Sequence, residues 1–103
     1  MKEIKFLITS DGKCPFKKWL DSLKDRVVIY KIQRRMEQIQ NGNYGDYKNL
    51  GGGLSELRFN NGIRIYYSEA GHIIVLLING GDKASQKKDI EKARRLLEEI
   101  KEV

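Results

Sequence analysis

The stretch LSELRFNNGIRIYYSEAGHIIVLLINGGDKASQKKDIEKA, residues 54–93, decides how this chain folds. Three short runs rich in β-branched and aromatic residues follow at tight intervals: Leu54 to Phe59, Ile63 to Ser68 and His72 to Asn79. Asn60-Asn61-Gly62 separates the first two and Glu69-Ala70-Gly71 the next two, and both compositions favour close hairpin turns. The first two runs alternate in polarity, as strands with one buried face do. The third is apolar without interruption from Ile73 to Ile78, which suits a strand covered on both faces. After Gly80-Gly81 the apolar period becomes helical. Ile90, Ala93, Leu97 and Ile100 fall on one stripe and predict a last helix over roughly Ser85 to Glu102. The two glycines read as a sharp turn from strand to helix.

The same reasoning extends toward the N-terminus. Glu3 to Thr9 alternates and predicts a first strand, followed by a turn at residues 10–15. Pro15 suits a first helical position, and Phe16, Trp19, Leu20 and Leu23 recur at helical spacing behind it. Asp25 is placed to cap a second helix running to about Gln40, with Val28, Ile32, Met36 and Ile39 as its apolar stripe. Residues 41–53, NGNYGDYKNLGGG, read as a loop. The expected architecture is α+β in a single domain over residues 1–103. It comprises a strand, a helical hairpin, a three-stranded antiparallel sheet and a C-terminal helix packed on that sheet.

Composition narrows the possible functions. With 40% hydrophobic residues and one proline, the 103-residue chain has the makings of a small globular core. Its longest apolar run is too short to span a bilayer, and the charged N-terminus does not look like a secretory signal, so a cytoplasmic location is expected. Cys14 and His72 stand alone of their kinds, so neither a disulfide nor a cysteine- or histidine-based metal site is expected, and no cofactor. The formal charge of +6 favours polyanions or acidic proteins as partners. Most of the surplus lies in residues 1–50, with eleven basic against six acidic residues. Residues 51–81 balance at two against two, so Arg58 and Arg64 are isolated cations in a strand region.

Strand alternation puts Glu56, Arg58, Arg64 and Tyr66 on one face of the hairpin. A solvated ladder of cross-strand ion pairs explains them equally well, each pair being worth under about 1 kcal/mol. The sharper reading joins them to Lys83 and the start of the last helix, with Gln86, Lys87 and Lys88 close by. Arginine forks bind phosphate bidentately, and a helix N-terminus favours an anion, although Asp82 or Ser85 can simply cap that helix. Such a groove suits the charge-rich transition state of RNA cleavage by its own 2′-hydroxyl. Tyr66 would then stack on a base or move a proton.

The segments ELR, RIYY and LLINGGDKASQKKDIEKA, together with FKKWLDSL near the N-terminus, resemble the RelE/ParE superfamily of toxins from type II toxin–antitoxin modules. The likeness is greatest to the branch called HigB-like or phage-derived addiction-module killer proteins. The resemblance implies a RelE-like fold and metal-independent cleavage of translated mRNA at the ribosome. It also implies neutralisation by a cognate antitoxin, expected to be of helix-turn-helix type. It assigns Arg64, Arg58 and Lys83 to the catalytic site, with Tyr66 as a further candidate, and Gln86, Lys87 and Lys88 to RNA or phosphate binding. Lysines used by RelE-type nucleases on the first hairpin strand are replaced by Leu54 and Glu56, which leaves the general base unassigned. A ParE-like inhibitor of DNA gyrase and a non-toxic basic binding module remain alternatives on the same fold.

Overall fold

The computed structural model describes residues 1–101, so the expected helical residue Glu102 lies outside the described residues. The elements in chain order are β1 (Glu3–Phe6), α1 (Pro15–Ser22), α2 (Arg26–Gln40), β2 (Tyr47–Gly51), β3 (Leu54–Arg58), β4 (Arg64–Ala70), β5 (Ile74–Gly81) and α3 (Gln86–Lys101). Pro15 opens α1, and the Asp25 carboxylate accepts from the Val27 N–H at 2.9 Å to cap α2. The radius of gyration, 12.8 Å, is that of one compact unit of this length.

The sheet has five strands rather than three, in the order β1-β5-β4-β3-β2. β1 runs parallel beside β5, in register Glu3 with Ile74 through Phe6 with Leu77, and the other neighbours are antiparallel. This parallel pairing puts β5 inside the sheet rather than at its edge, which suits its apolar run from Ile74 to Ile78. β2 falls where a loop was expected. Its residues are nearly all exposed, so as a polar edge strand it shows no apolar alternation to read. Its backbone pairs with β3 through a shift between Asn49 and Gly51. Arg94 of α3 holds the far end, donating to the carbonyls of Leu50 and Gly51 at 2.8 and 3.1 Å.

Two cores flank the sheet. On one face Phe16 of α1 and Ile32 and Ile39 of α2 pack with Leu57, Ile65, Tyr67, Val75 and Leu77. On the other, Ala93, Leu96 and Leu97 of α3 pack with Leu54, Tyr66 and Ile78. The hairpin between β3 and β4 is wider than a two-residue turn: Phe59 N–H donates to the Ile63 carbonyl, and Gly62 takes a positive φ of 88°. The next turn lies at residues 71–73, so exposed His72 belongs to the turn and not to β5. No helix among the described residues is long and apolar enough to cross a membrane.

Gly80 and Gly81 end β5 and let helices pack close, as expected, but the sharp turn itself comes after them. They stand opposite Ile65 and Arg64. Glycine is required by close approach. A Cβ on Gly80 would lie 2.4 Å from the Trp19 ring of α1, and one on Gly81 1.8 Å from the Asp89 carboxylate of α3. Helices thus close on the two faces of one strand end. The break to α3 comes after Gly81, at residues 82–85.

Candidate active site

Arg58 ends β3, Arg64 begins β4, and the two face each other directly in register. Like charges in that arrangement repel, so a counter-charge is needed. Glu56, two residues before Arg58 on the same face, supplies it. Its side chain is fully buried. One oxygen accepts from Arg58 Nε at 3.0 Å, and the other accepts from Gln86 Nε2 of α3 at 2.8 Å. Arg64 Nε lies 4.0 Å from the same Glu56 oxygen, too far for a hydrogen bond, and is buried with no partner. One carboxylate therefore serves two guanidiniums, leaving a surplus positive charge. The Arg58 side chain is 34% exposed and that of Arg64 15%.

Lys83 is exposed and its stem lies over the β3–β4 turn, 3.9 Å from where a Gly62 Cβ would stand. Lys87 and Lys88 are exposed on the first turn of α3. Gln86 is engaged with Glu56, which makes it a brace of the arginine cluster in this structure.

The helix start is occupied by its own side chains. Ser85 N–H donates to the Asp82 carboxylate at 3.0 Å, Asp82 N–H donates to Ser85 Oγ, and the Ser85 hydroxyl donates to Asp89. Asp82 and Asp89 already answer the positive end of α3. The helix start thus carries carboxylates of its own beside the exposed lysines, and the isolated arginines cluster on the hairpin, at Arg58 and Arg64.

Tyr66 is also placed differently from its expected role. It shares the face of Arg64 but is fully buried beneath α3, so its ring offers no surface for base stacking. Its hydroxyl is buried without a partner. Burial, and then the carboxylates of Glu56 and Asp89, push its pKa above the ordinary tyrosine value, so the phenol keeps its proton.

Arg35 is a residue that sequence reasoning missed. It lies on α2 one position before Met36, at the border of the apolar stripe. Its guanidinium donates to the carbonyls of Tyr44, Asp46 and Arg58, the last at 2.8 Å, and sits 4.3 Å from the centroid of the Phe59 ring. Asp46 in turn accepts from the Arg58 N–H. Arg35 thus fixes the backbone that carries Arg58. The only signal was a cation beside an apolar stripe, which solvated helices show as well.

Comparison with known proteins places the chain in a family. It is 39% identical over 87 residues to a protein of Haemophilus influenzae described as uncharacterized, a match covering 82% of this chain and 88% of the relative. The chain belongs to the family of that protein. No family model matches it.

Proposed function

We propose that this protein is a RelE-like toxin of a type II toxin–antitoxin module, of the HigB-like branch of the RelE/ParE superfamily, and cleaves mRNA at the ribosome. The observation that carries the reading is the in-register Arg58–Arg64 pair held by the single buried carboxylate of Glu56. A purely structural ladder would match charges one to one. Here one guanidinium is left under-compensated, with a buried donor lacking a partner, beside a further exposed lysine. That is the arrangement an incoming phosphodiester completes.

In the proposed reaction the 2′-oxygen of a ribose attacks the adjacent phosphorus, and the bond from phosphorus to the 5′-oxygen breaks. A 2′,3′-cyclic phosphate and a 5′-hydroxyl result. Arg58 and Arg64 stabilise the charge that gathers on the phosphoryl oxygens, which needs no metal ion. The attacking hydroxyl gives up its proton to a base, and the departing oxygen gains one. Glu56, fully buried and engaged by Arg58 and Gln86, and Tyr66, buried and protonated, are poorly placed for either transfer. Lys83 is exposed at the rim and is the member of the set best able to deliver a proton. A cognate antitoxin, of helix-turn-helix type, would silence the protein by covering this surface.

The test is primer extension on a reporter mRNA in a purified translation system, with and without ribosomes, for wild type and Arg64→Ala. Ribosome-dependent cuts are expected for wild type, weakened about 100-fold in the variant. Intact mRNA with wild type under both conditions would remove the nuclease reading and make gyrase supercoiling the next assay.

A further inference from the structure

Between α1 and α3, beside the end of β5, lies a cleft of about 310 Å³ whose walls include Lys18, Trp19, Asn79, Asp89 and Lys92. That volume is at the small end for ligand clefts and ample for one base. Its inner wall carries an unanswered acceptor. Asn79 is almost wholly buried, and its side-chain N–H donates to the Asp89 carbonyl at 3.1 Å, which fixes the orientation of the amide. Its Oδ1 is left buried with no partner. Asp89 stands beside it. One carboxylate oxygen takes the Ser85 hydroxyl, and a carboxylate has capacity for more donors. The indole of Trp19 forms another wall, packed on Gly80. Lys18 and Lys92 are exposed at the opening.

We infer that this cleft binds a guanine base of single-stranded RNA. Resting on the nuclease reading for its class of ligand, the assignment follows from matching donors to acceptors. The guanine edge presents two adjacent donors, N1–H and the 2-amino group, next to the O6 acceptor. Asn79 Oδ1 and the Asp89 carboxylate take the donors, and a lysine takes O6. Adenine and cytosine place a bare ring nitrogen beside their amino group, which would meet one of these oxygens unfavourably. Uracil offers one donor between two acceptors. The indole supplies apolar contact to the base plane. Asp89 also abuts Gly81, the register partner of Arg64, so the base would sit next to the arginine pair.

Trp19 is the sole tryptophan, so its emission reports on this cleft directly. Guanosine, adenosine, cytidine and uridine 5′-monophosphates, and inorganic phosphate, would be titrated into the purified protein. A saturable change with the guanosine nucleotide is expected, about tenfold tighter than with the uridine one, and none with phosphate. Asp89→Asn should remove the guanine preference, and Lys92→Ala should weaken the guanosine nucleotide most. If Asp89→Asn fails to fold, the four-way comparison on wild type decides alone. Equal responses to all nucleotides, a response to phosphate, or no response each overturn the inference. An equal response to polyglutamate would overturn it in favour of an acidic protein partner. Guanine binding and mRNA cleavage are read in separate assays on the wild-type protein. Absent mRNA cleavage with guanine binding intact therefore strikes the nuclease reading alone, and the converse strikes this inference alone.

Discussion

At the scale of single residues, the hairpin shows why charge and burial must be weighed together. Glu56 is an acid with no exposed surface, tolerated because Arg58 and Gln86 satisfy its two oxygens. Tyr66 sits next to it with an unsatisfied hydroxyl. Leaving a buried hydroxyl without a partner costs about 1–3 kcal/mol, so removing it relieves the fold. Tyr66→Phe should therefore be as stable as wild type or more stable by up to about 1 kcal/mol, and should cleave mRNA undiminished. Urea unfolding and the primer-extension assay check the two halves. A large loss of cleavage in a well-folded variant would restore Tyr66 to the catalytic set.

At the scale of elements, the end of β5 is where both helical layers meet the sheet. Gly80 lies against the rigid indole of Trp19, while Gly81 lies against the short, rotatable side chain of Asp89. Gly80→Ala should destabilise by about 3 kcal/mol, because the bulky, half-buried indole packed against the core must shift as a whole to make room. Gly81→Ala should cost less, since Asp89 can turn away at the expense of its bond to Ser85. Thermal melts of the two variants would rank them. The reverse order would mean that Asp89 is held more firmly than its Ser85 contact suggests. Arg35 works on the same scale, tying the segment around Tyr44 and Asp46 to the end of β3.

At the scale of the whole molecule, two tyrosines set the alkaline limit. Tyr66 and Tyr67 lie in the opposite cores, and burial raises both above the ordinary value of 10.0. The folded state therefore holds these two protons more tightly than the unfolded chain does. Their contribution is fully present below the unfolded pKa of about 10 and is lost as pH rises from there toward the folded values. Stability to urea should fall above about pH 10, with the tyrosinate absorbance of Tyr66 and Tyr67 appearing together with unfolding. Ionisation of all five tyrosines near pH 10 with the fold intact would contradict this.

The sequence by itself determined what depends on near neighbours: the span of α2 with its Asp25 cap, Pro15 at the head of α1, and the order of β3, β4 and β5. It also determined that Glu56, Arg58, Arg64 and Tyr66 share a face, because alternation along a strand is local geometry. Only the tertiary structure decided what depends on distant partners. The parallel seat of β1 beside β5 and the close approach of Trp19 to Gly80 join residues far apart in the chain, whereas the edge strand β2 pairs with its neighbour β3 and was hidden by its exposed, polar sequence. Tyr66 and Arg64 illustrate the boundary. Alternation puts them on the same face, but where α3 lies across that face leaves one fully buried and the other near the surface. Periodicity tells a strand which way its side chains point, and the packing of a remote helix decides which of them water can reach.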